Sequence, residues 1–457
     1  MSGSTTSQGF AFNRGQFQQI IDDTLAIAKD LGASDAAAEV SEGAGLSVSV
    51  RLGAIENVER NRDKSLGVTV YLGQRRGNAS TSDFSAAALQ QTVRAAYDIA
   101  RFTAEDPAAG LPDAEDLATP DVAGIDLDLF HPWGVDADGA AALARRCEDA
   151  AFATSPKISN SEGAGVSAQQ SHFWAGNSRG FRGGYASSRH SLSVAPIAGK
   201  GAAMQRDAWY SSQRNAMDLA SPEAVGRYAA ERALSRLKGR KVPTCEVPVL
   251  FENTLAAGLL GSMVGALSGG SLYRRASFLM DSVGTAVMAD HLDVDEDPLV
   301  PGGKASAAFD DEGVRTRKRR VVEAGVVQGY FLSSYSARKL GLKTTGHAGG
   351  SQNLVLRSRL TRPGDQLDEM LRKLHRGLFV TELMGQGVNG VTGDYSRGAA
   401  GYWVEGGRIV HPVHEVTIAG NLKDMLRHIV AVGADSYVSG GRTVGSVLLA
   451  RMKVAGS

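Results

Sequence analysis

The stretches LSVSVRL (Leu46–Leu52) and LGVTVYL (Leu66–Leu72) decide the fold class. In the first, Leu46, Val48, Val50 and Leu52 alternate with Ser47, Ser49 and Arg51; in the second, Leu66, Val68, Val70 and Leu72 share one face. Side chains of a strand point alternately to its two faces, so each run reads as a half-buried strand, the two being antiparallel neighbours. Upstream the period changes. Phe17, Ile20, Ile21, Leu25, Ala28 and Leu31 recur at helical spacing, with Gly32 as the cap, so an amphipathic helix precedes the sheet. Downstream, Asp83 is placed to cap a helix through Val93, Ile99 and Phe102, a Pro- and Asp-rich connection covers 106–121, and a further helix is expected over 140–153. SEGAGVS at Ser161 repeats SEGAGLS at Ser41, each after a helix, which suggests one helix-plus-sheet unit used twice.

Ser221 and Pro222 open the next helix, which carries Val225, Tyr228, Ala229 and Leu237 and ends at Gly239; a domain boundary is placed at 240–245. Beyond it come the strand EVPVLF, an apolar segment from Thr254 to Leu267, and a region of strands and turns. Glu323–Gly325 and Glu405–Gly407 each separate two apolar runs as hairpin turns do, and short helices are expected over 366–375 and from Asn421. The expected architecture is α+β: a flexible tail (1–13), an N-terminal domain of helices and antiparallel sheet (14–239), and a β-rich C-terminal domain (246–457). The 55 glycines in 457 residues fit a chain rich in turns, bulges and close backbone approaches.

Composition narrows the function. With 49 basic and 49 acidic residues the chain has no net charge to attract nucleic acid or an anionic membrane. RTRKRR at Arg315–Arg320 is read as a solvated strand edge before a turn. Cys147 and Cys245 are not spaced as a metal pair and are expected as free thiols. No stretch approaches the ~18 apolar residues of a membrane helix, so a cytoplasmic protein is expected, with neither membrane nor nucleic acid as partner. His411 and His414 in HPVHE lie three apart on an expected strand, hence on opposite faces, and cannot clasp one ion. His347 in TGHAGG either presents its imidazole to a ligand or satisfies backbone carbonyls of its own turn. Asp394, Tyr395, Ser396 and Arg397, among Gly393, Gly398 and Gly401, offer donors and acceptors to an extended peptide, or form a Gly-rich hairpin with an internal Asp–Arg pair.

Longer strings carry a resemblance. FDDEGVRT (Phe309–Thr316), LSSYSARKLGLKTTGHAGG (Leu332–Gly350), VTELMGQGVN (Val380–Asn389), TGDYSRGAAGYWVE (Thr392–Glu405) and VTIAGNLKDM (Val416–Met425) resemble the PmbA (TldE) branch of the TldD/PmbA family. So do GVTVY (Gly67–Tyr71) and SRHSLS (Ser188–Ser193). In that family the TldD subunit carries an HExxxH helix whose histidines hold zinc and whose glutamate takes the proton of the attacking water. The matching helix here reads GLLGSMVGALSGG, with Gly261 and Ala266 in the histidine positions and Ser262 in that of the glutamate. The resemblance therefore implies a subunit with no metal or catalytic residue of its own, paired with a TldD-like subunit that carries zinc. It also implies a role in proteolysis of unfolded peptide, in maturing a peptide antibiotic precursor or degrading an antitoxin. Two competing readings are a binding module that modulates DNA gyrase and an autonomous zinc metallopeptidase built from scattered ligands.

Overall fold

The computed structural model describes residues 9–456. They form two compact units, one of residues 9–234 with Ala308–Thr316, the other of Ser235–Ala307 with residues 317–456. The first unit is not continuous in sequence: Phe309, 4% exposed, fills a satellite core with Phe181, Leu117, Leu127 and Leu129, its ring centroid 5.0 Å from that of Phe181.

One antiparallel sheet organises the first unit. Its strands are β1 (Asp35–Arg51), β2 (Ala54–Leu72), β3 (Arg75–Thr81), β4 (Ile158–Asn177), β5 (Arg182–Gly183), β6 (Ala186–Ala198), β7 (Gln205–Arg206) and β8 (Trp209–Gln213). The order is β3-β2-β1-β4-β6-β7, with β5 beside β4 and β8 beside β6. Helix, strand meander and helix thus occur twice, back to back across β1 and β4. Ser47 and Ser167, each the last residue of its SEGAGxS copy, sit directly opposite one another with hydroxyls 3.3 Å apart, so a local two-fold axis passes between them. The two alternating runs lie on neighbouring antiparallel strands but do not face each other. Leu66–Tyr71 pairs with Val40–Asp35, whereas Leu46–Arg51 pairs with Arg60–Ala54. The missing partner, residues 54–65, is exposed along its whole length and carries no apolar alternation to betray a strand.

The helix Arg14–Asp30 forms where expected, closed at its start by a reciprocal Asn13–Gln16 capping box and followed by Gly32 at φ 88°. It buries Phe17, Ile21, Leu25 and Ala28 against Val40, Val68, Val70 and Trp174. The cap of the helix Ala86–Phe102 is Ser85 instead of Asp83, whose carboxylate accepts the Ser85 N–H at 2.9 Å. Residues 1–8 of the expected tail lie outside the described residues, and the rest of it is pinned. The Ala11 and Phe12 N–H groups donate to the carboxylate of Glu42, itself 2% exposed. Glu148 (1% exposed), on the helix Ala137–Thr154, likewise takes the Leu52 and Gly53 N–H groups at 3.1 and 2.9 Å and so holds the β1–β2 turn. The helix Pro222–Ser235 stops short of the expected Gly239, with Lys238 at φ 64° just beyond it.

The second unit holds two sheets built from β9 (Cys245–Phe251), β10 (Leu292–Glu296), β11 (Arg319–Glu323), β12 (Val326–Val327), β13 (Leu354–Ser358), β14 (Gly377–Met384), β15 (Asp394–Glu405), β16 (Arg408–Asn421), β17 (Ile429–Val432), β18 (Tyr437–Ser439), β19 (Arg442–Val444) and β20 (Val447–Ala455). One runs β16-β15-β14-β9-β20-β17, and a further β16–β20 pairing closes it on itself, which leaves fewer free edges. The other runs β12-β11-β10-β13-β19-β18. Hairpins close at both expected turns, with Ala324 and Gly325, and Gly406 and Gly407, at positive φ as a type I′ turn demands.

A buried ionic node ties the second sheet together. Glu296, fully buried at the end of β10, accepts from Arg319 Nε (2.7 Å) on β11, His347 Nε2 (2.9 Å) and the Gln352 N–H (2.7 Å). His347 Nδ1 lies 2.9 Å from the Thr345 hydroxyl, and the Arg319 guanidinium stacks on Phe331. The basic run is therefore not uniformly solvated, since Arg319 is drawn inward while Arg320 pairs with Asp295 and Glu323 outside. Burial alone would raise the Glu296 carboxyl, but the bond from His347 and the Arg319 cation outweigh it and hold it below its ordinary value. Burial, outweighing the pull of Glu296, pushes His347 down, so the imidazole is neutral and its Nε2–H donates to Glu296.

Two outcomes follow from these contacts. Phe309→Ala is expected to destabilise the first unit by about 3–5 kcal/mol in denaturant unfolding followed by first-unit tryptophans, despite lying far along the chain. Glu296→Gln is expected to cost the second unit about 3–5 kcal/mol, because it strands a half-buried cation. The wild-type contribution should fall on acidification in two stages. The unfolded chain gains its histidine proton more readily than the folded one below the ordinary histidine range, and the Glu296 share is lost as pH drops through its lowered folded value. A midpoint that is flat between neutral and acid pH would contradict this.

Candidate functional site

The segment that the resemblance leads one to expect at the metal-motif positions lies in a helix, Asn253–Ala266. Ala256, Ala257, Leu259, Leu260, Met263, Val264 and Ala266 turn inward, and Gly258, Gly261, Ser262 and Gly265 form the outer stripe. Glycine in a helix interior costs about 1 kcal/mol relative to alanine, so each needs a reason. At Gly258 and Gly265 an added Cβ would meet nothing within 4 Å; at Gly261 it would lie 3.0 Å from Arg442 Nη1 and 3.1 Å from Cζ. The guanidinium of Arg442 thus rests on the bare backbone of residue 261, and any Cβ there would push it aside. The Ser262 hydroxyl is turned back to the Gly258 carbonyl at 3.1 Å, and Ala266 is 4% exposed in the core.

These residues do not fit a zinc ion. Gly261 and Ala266 have no donor atom, Ala266 faces inward, and a guanidinium occupies the approach to residue 261, where a second cation would be repelled. Among the described residues no three His, Cys, Asp or Glu side chains are grouped to hold a metal, His411 and His414 included. Cys147 and Cys245 are free thiols, Cys147 buried and its thiol pushed up to about 12 by that burial.

Arg442 was not singled out by sequence reading. It lies on β19, whose hairpin with the edge strand β18 packs beside the helix. Its Nε is shielded from solvent and has no hydrogen-bond partner, and among the described residues the guanidinium forms no ion pair. The only sequence signal was the glycine at 261, and it did not say what lies over it.

The other residues named from sequence are scattered within the second unit. His347 is locked in the Glu296 node and does not present its imidazole outward. Tyr395 is a core residue, 4% exposed, with its hydroxyl pushed up to about 12 by burial. Asp394 is exposed and takes bonds from Thr392 (2.6 Å) and Asn421 (3.1 Å), the Thr392 bond foremost in holding its carboxyl below the ordinary value. Arg397 donates to the Met384 carbonyl, so the anticipated Asp–Arg pair is replaced by separate partners. The Ser396 N–H donates to Gly387, and the start of β15 is already covered on that side by 387–389. It offers no free edge to an added strand.

Sequence reading also missed a cleft of ≈ 590 Å³ in the first unit, lined by Glu39, Tyr71, Arg76, Asn78 and Asp311. Burial and then the facing Asp311 push the Glu39 carboxyl up, while burial and then Glu312 raise Asp311. Folded carboxyls with raised pKa hold protons that the unfolded chain has released, so stability falls as pH rises from the ordinary carboxylate range through the raised folded values. Glu39→Gln is expected to raise the unfolding midpoint at neutral pH and to have less effect where both carboxyls are protonated, as a thermal series across pH would show.

Comparison with known proteins gives the site its context. Residues 36–100 match domain 1 of the PmbA/TldA metallopeptidases, 130–237 their central domain and 244–456 their C-terminal domain. The chain is 49% identical over 442 residues to Metalloprotease PmbA of Escherichia coli O157:H7, covering 96% of this chain and 97% of that one. It is 45% identical over 442 residues to the Metalloprotease PmbA homolog of Haemophilus influenzae, covering 97% and 96%. Among solved structures, TldE from Thermococcus kodakarensis superposes with a TM-score of 0.82 at 18% identity, covering 95% and 99%. A Bacteroides thetaiotaomicron protein, described as a proposed modulator of DNA gyrase, superposes at 0.90 with 24% identity, covering 97% and 100%. No helix of the described residues is long and apolar enough to cross a membrane. With three domain matches spanning most of its length, this chain belongs to the TldD/PmbA metallopeptidase family, on its PmbA side.

Proposed function

We propose that the chain is the zinc-less subunit of a heterodimeric metallopeptidase and holds unfolded peptide in extended form for a TldD-like partner that carries the zinc. The observation that carries this reading is the helix Asn253–Ala266, whose motif positions hold no ligand or base and whose residue 261 lies under the Arg442 guanidinium. The family's protease-type role then requires the hydrolytic water to be activated elsewhere. For peptide, this chain has what extended backbone needs. β18 is an edge strand beside the helix, and strand addition to a sheet edge binds backbone with little demand on sequence. Substrates of this kind include unfolded antibiotic precursors and labile antitoxins, met in the cytoplasm.

The test is peptidase activity on an unfolded peptide with this chain alone, the TldD-like subunit alone and the two mixed, with zinc measured in each. Activity only in the mixture, with zinc confined to the partner, is the expected result; activity and stoichiometric zinc in this chain alone would sink the reading. Restoring the motif with Gly261→His, Ser262→Glu and Ala266→His should still leave no zinc after dialysis, because residue 266 faces the core and Arg442 blocks residue 261.

A further inference from the structure

The place where a zinc ligand would stand is held by a cation. Arg442 rests on the Gly261 backbone, with Nη1 and Nη2 3.0 and 3.4 Å from where a Cβ would lie. Its Nε is screened from water and makes no hydrogen bond, and the side chain has no carboxylate partner among the described residues. Other half-buried guanidiniums of this unit have acceptors: Arg319 has Glu296, Arg236 has Glu382, and Arg397 has the Met384 carbonyl. Withdrawing a cation from water without a counter-charge is costly, so an unmatched guanidinium marks where an anion from outside the chain belongs.

Which anion is set by the surroundings. A guanidinium fork matches the two oxygens of a carboxylate with paired, parallel hydrogen bonds. Its floor is the outer stripe Gly258, Gly261, Ser262 and Gly265, where side chains are absent or short, so a polypeptide backbone can lie close. Its wall is the edge hairpin β18–β19, beside which an extended chain can lie. We propose that Arg442 binds a carboxylate of the held peptide, either its C-terminus or an Asp or Glu side chain, and so anchors the peptide at the position the lost metal site would occupy. This rests on the reading that the chain holds peptide. It adds to it a preferred substrate chemistry and a fixed point for register.

The geometry also makes the arrangement competitive. A side chain at 261 requires the guanidinium to give way, so a zinc-binding histidine there competes with Arg442 in its present place.

The experiment uses the full chain with its TldD-like partner and a short unstructured peptide in four forms: free or amidated C-terminus, each with one internal Glu or Gln. Binding is read by fluorescence anisotropy. The acidic forms are expected to bind about tenfold or more tightly than the fully neutral one, the range of a charge-assisted bond to a carboxylate. Arg442→Gln should abolish that preference. Arg442→Lys should retain only part of it, since an ammonium lacks the fork. Should the Arg442 variants fold poorly, Gly261→Ala serves instead: it favours the helix while displacing the guanidinium, and should weaken the preference. Equal binding of all forms by the wild type, or a preference that survives Arg442→Gln, would overturn the proposal while leaving peptide holding intact. A separate readout is the unfolding midpoint of this chain alone in acetate, phosphate or chloride at equal ionic strength. Stabilisation by acetate beyond chloride that vanishes in Arg442→Gln supports a carboxylate site. If that holds and no peptide binds, peptide holding fails and the site stands; stabilisation by phosphate alone overturns the carboxylate assignment.

Discussion

A buried carboxylate survives only if donors fill its lone pairs, and much of this fold is arranged around that demand. Glu42 gathers the backbone of Ala11 and Phe12, Glu148 that of Leu52 and Gly53, and Glu296 that of Gln352 together with Arg319 and His347. In each case a charge on a regular element fixes a segment that lacks regular hydrogen bonding of its own. The N-terminal segment, the β1–β2 turn and the glycine-rich loop at His347 are held by this means. Loops of such composition would otherwise have little to order them, since glycine surrenders the most backbone entropy on folding.

The same demand, turned around, explains the site. Arg442 is partly exposed, with its Nε shielded, and has no carboxylate complement among the described residues. The helix Asn253–Ala266 combines a fully apolar inner face with an outer face stripped of side chains. That stripping accommodates the guanidinium of Arg442.

Strongly periodic segments were legible in the sequence. The helix Arg14–Asp30 and both type I′ hairpins followed from apolar spacing and turn residues, and the repeated SEGAG string does mark a duplicated unit. What stayed hidden was whatever depends on a distant partner. Residues 54–65 form a strand although nothing in them alternates, because both faces are solvated and pairing with β1 alone defines them. His347 read as a loop histidine that either meets a ligand or satisfies its own turn; its burial follows from Glu296 and Arg319, which no local pattern connects to it. Arg442 is one arginine among many until the glycine beneath it is seen. The motif strings were informative about kinship and silent about placement, as Tyr395 in the core and FDDEGVRT in the first unit both show.

The return of Ala308–Thr316 to the first unit bears on how the protein is made. A chain emerging from the ribosome presents the β1–β4 sheet early, but Phe309 and the Val314 bridge to Leu117 arrive only after Ser235–Ala307 of the second unit has been synthesised. Domains ordinarily complete themselves in order of synthesis. Here the first must wait, with Phe181 and its neighbours uncovered, so nascent chains of intermediate length carry an apolar surface that invites chaperones or misassociation until the loop closes over it.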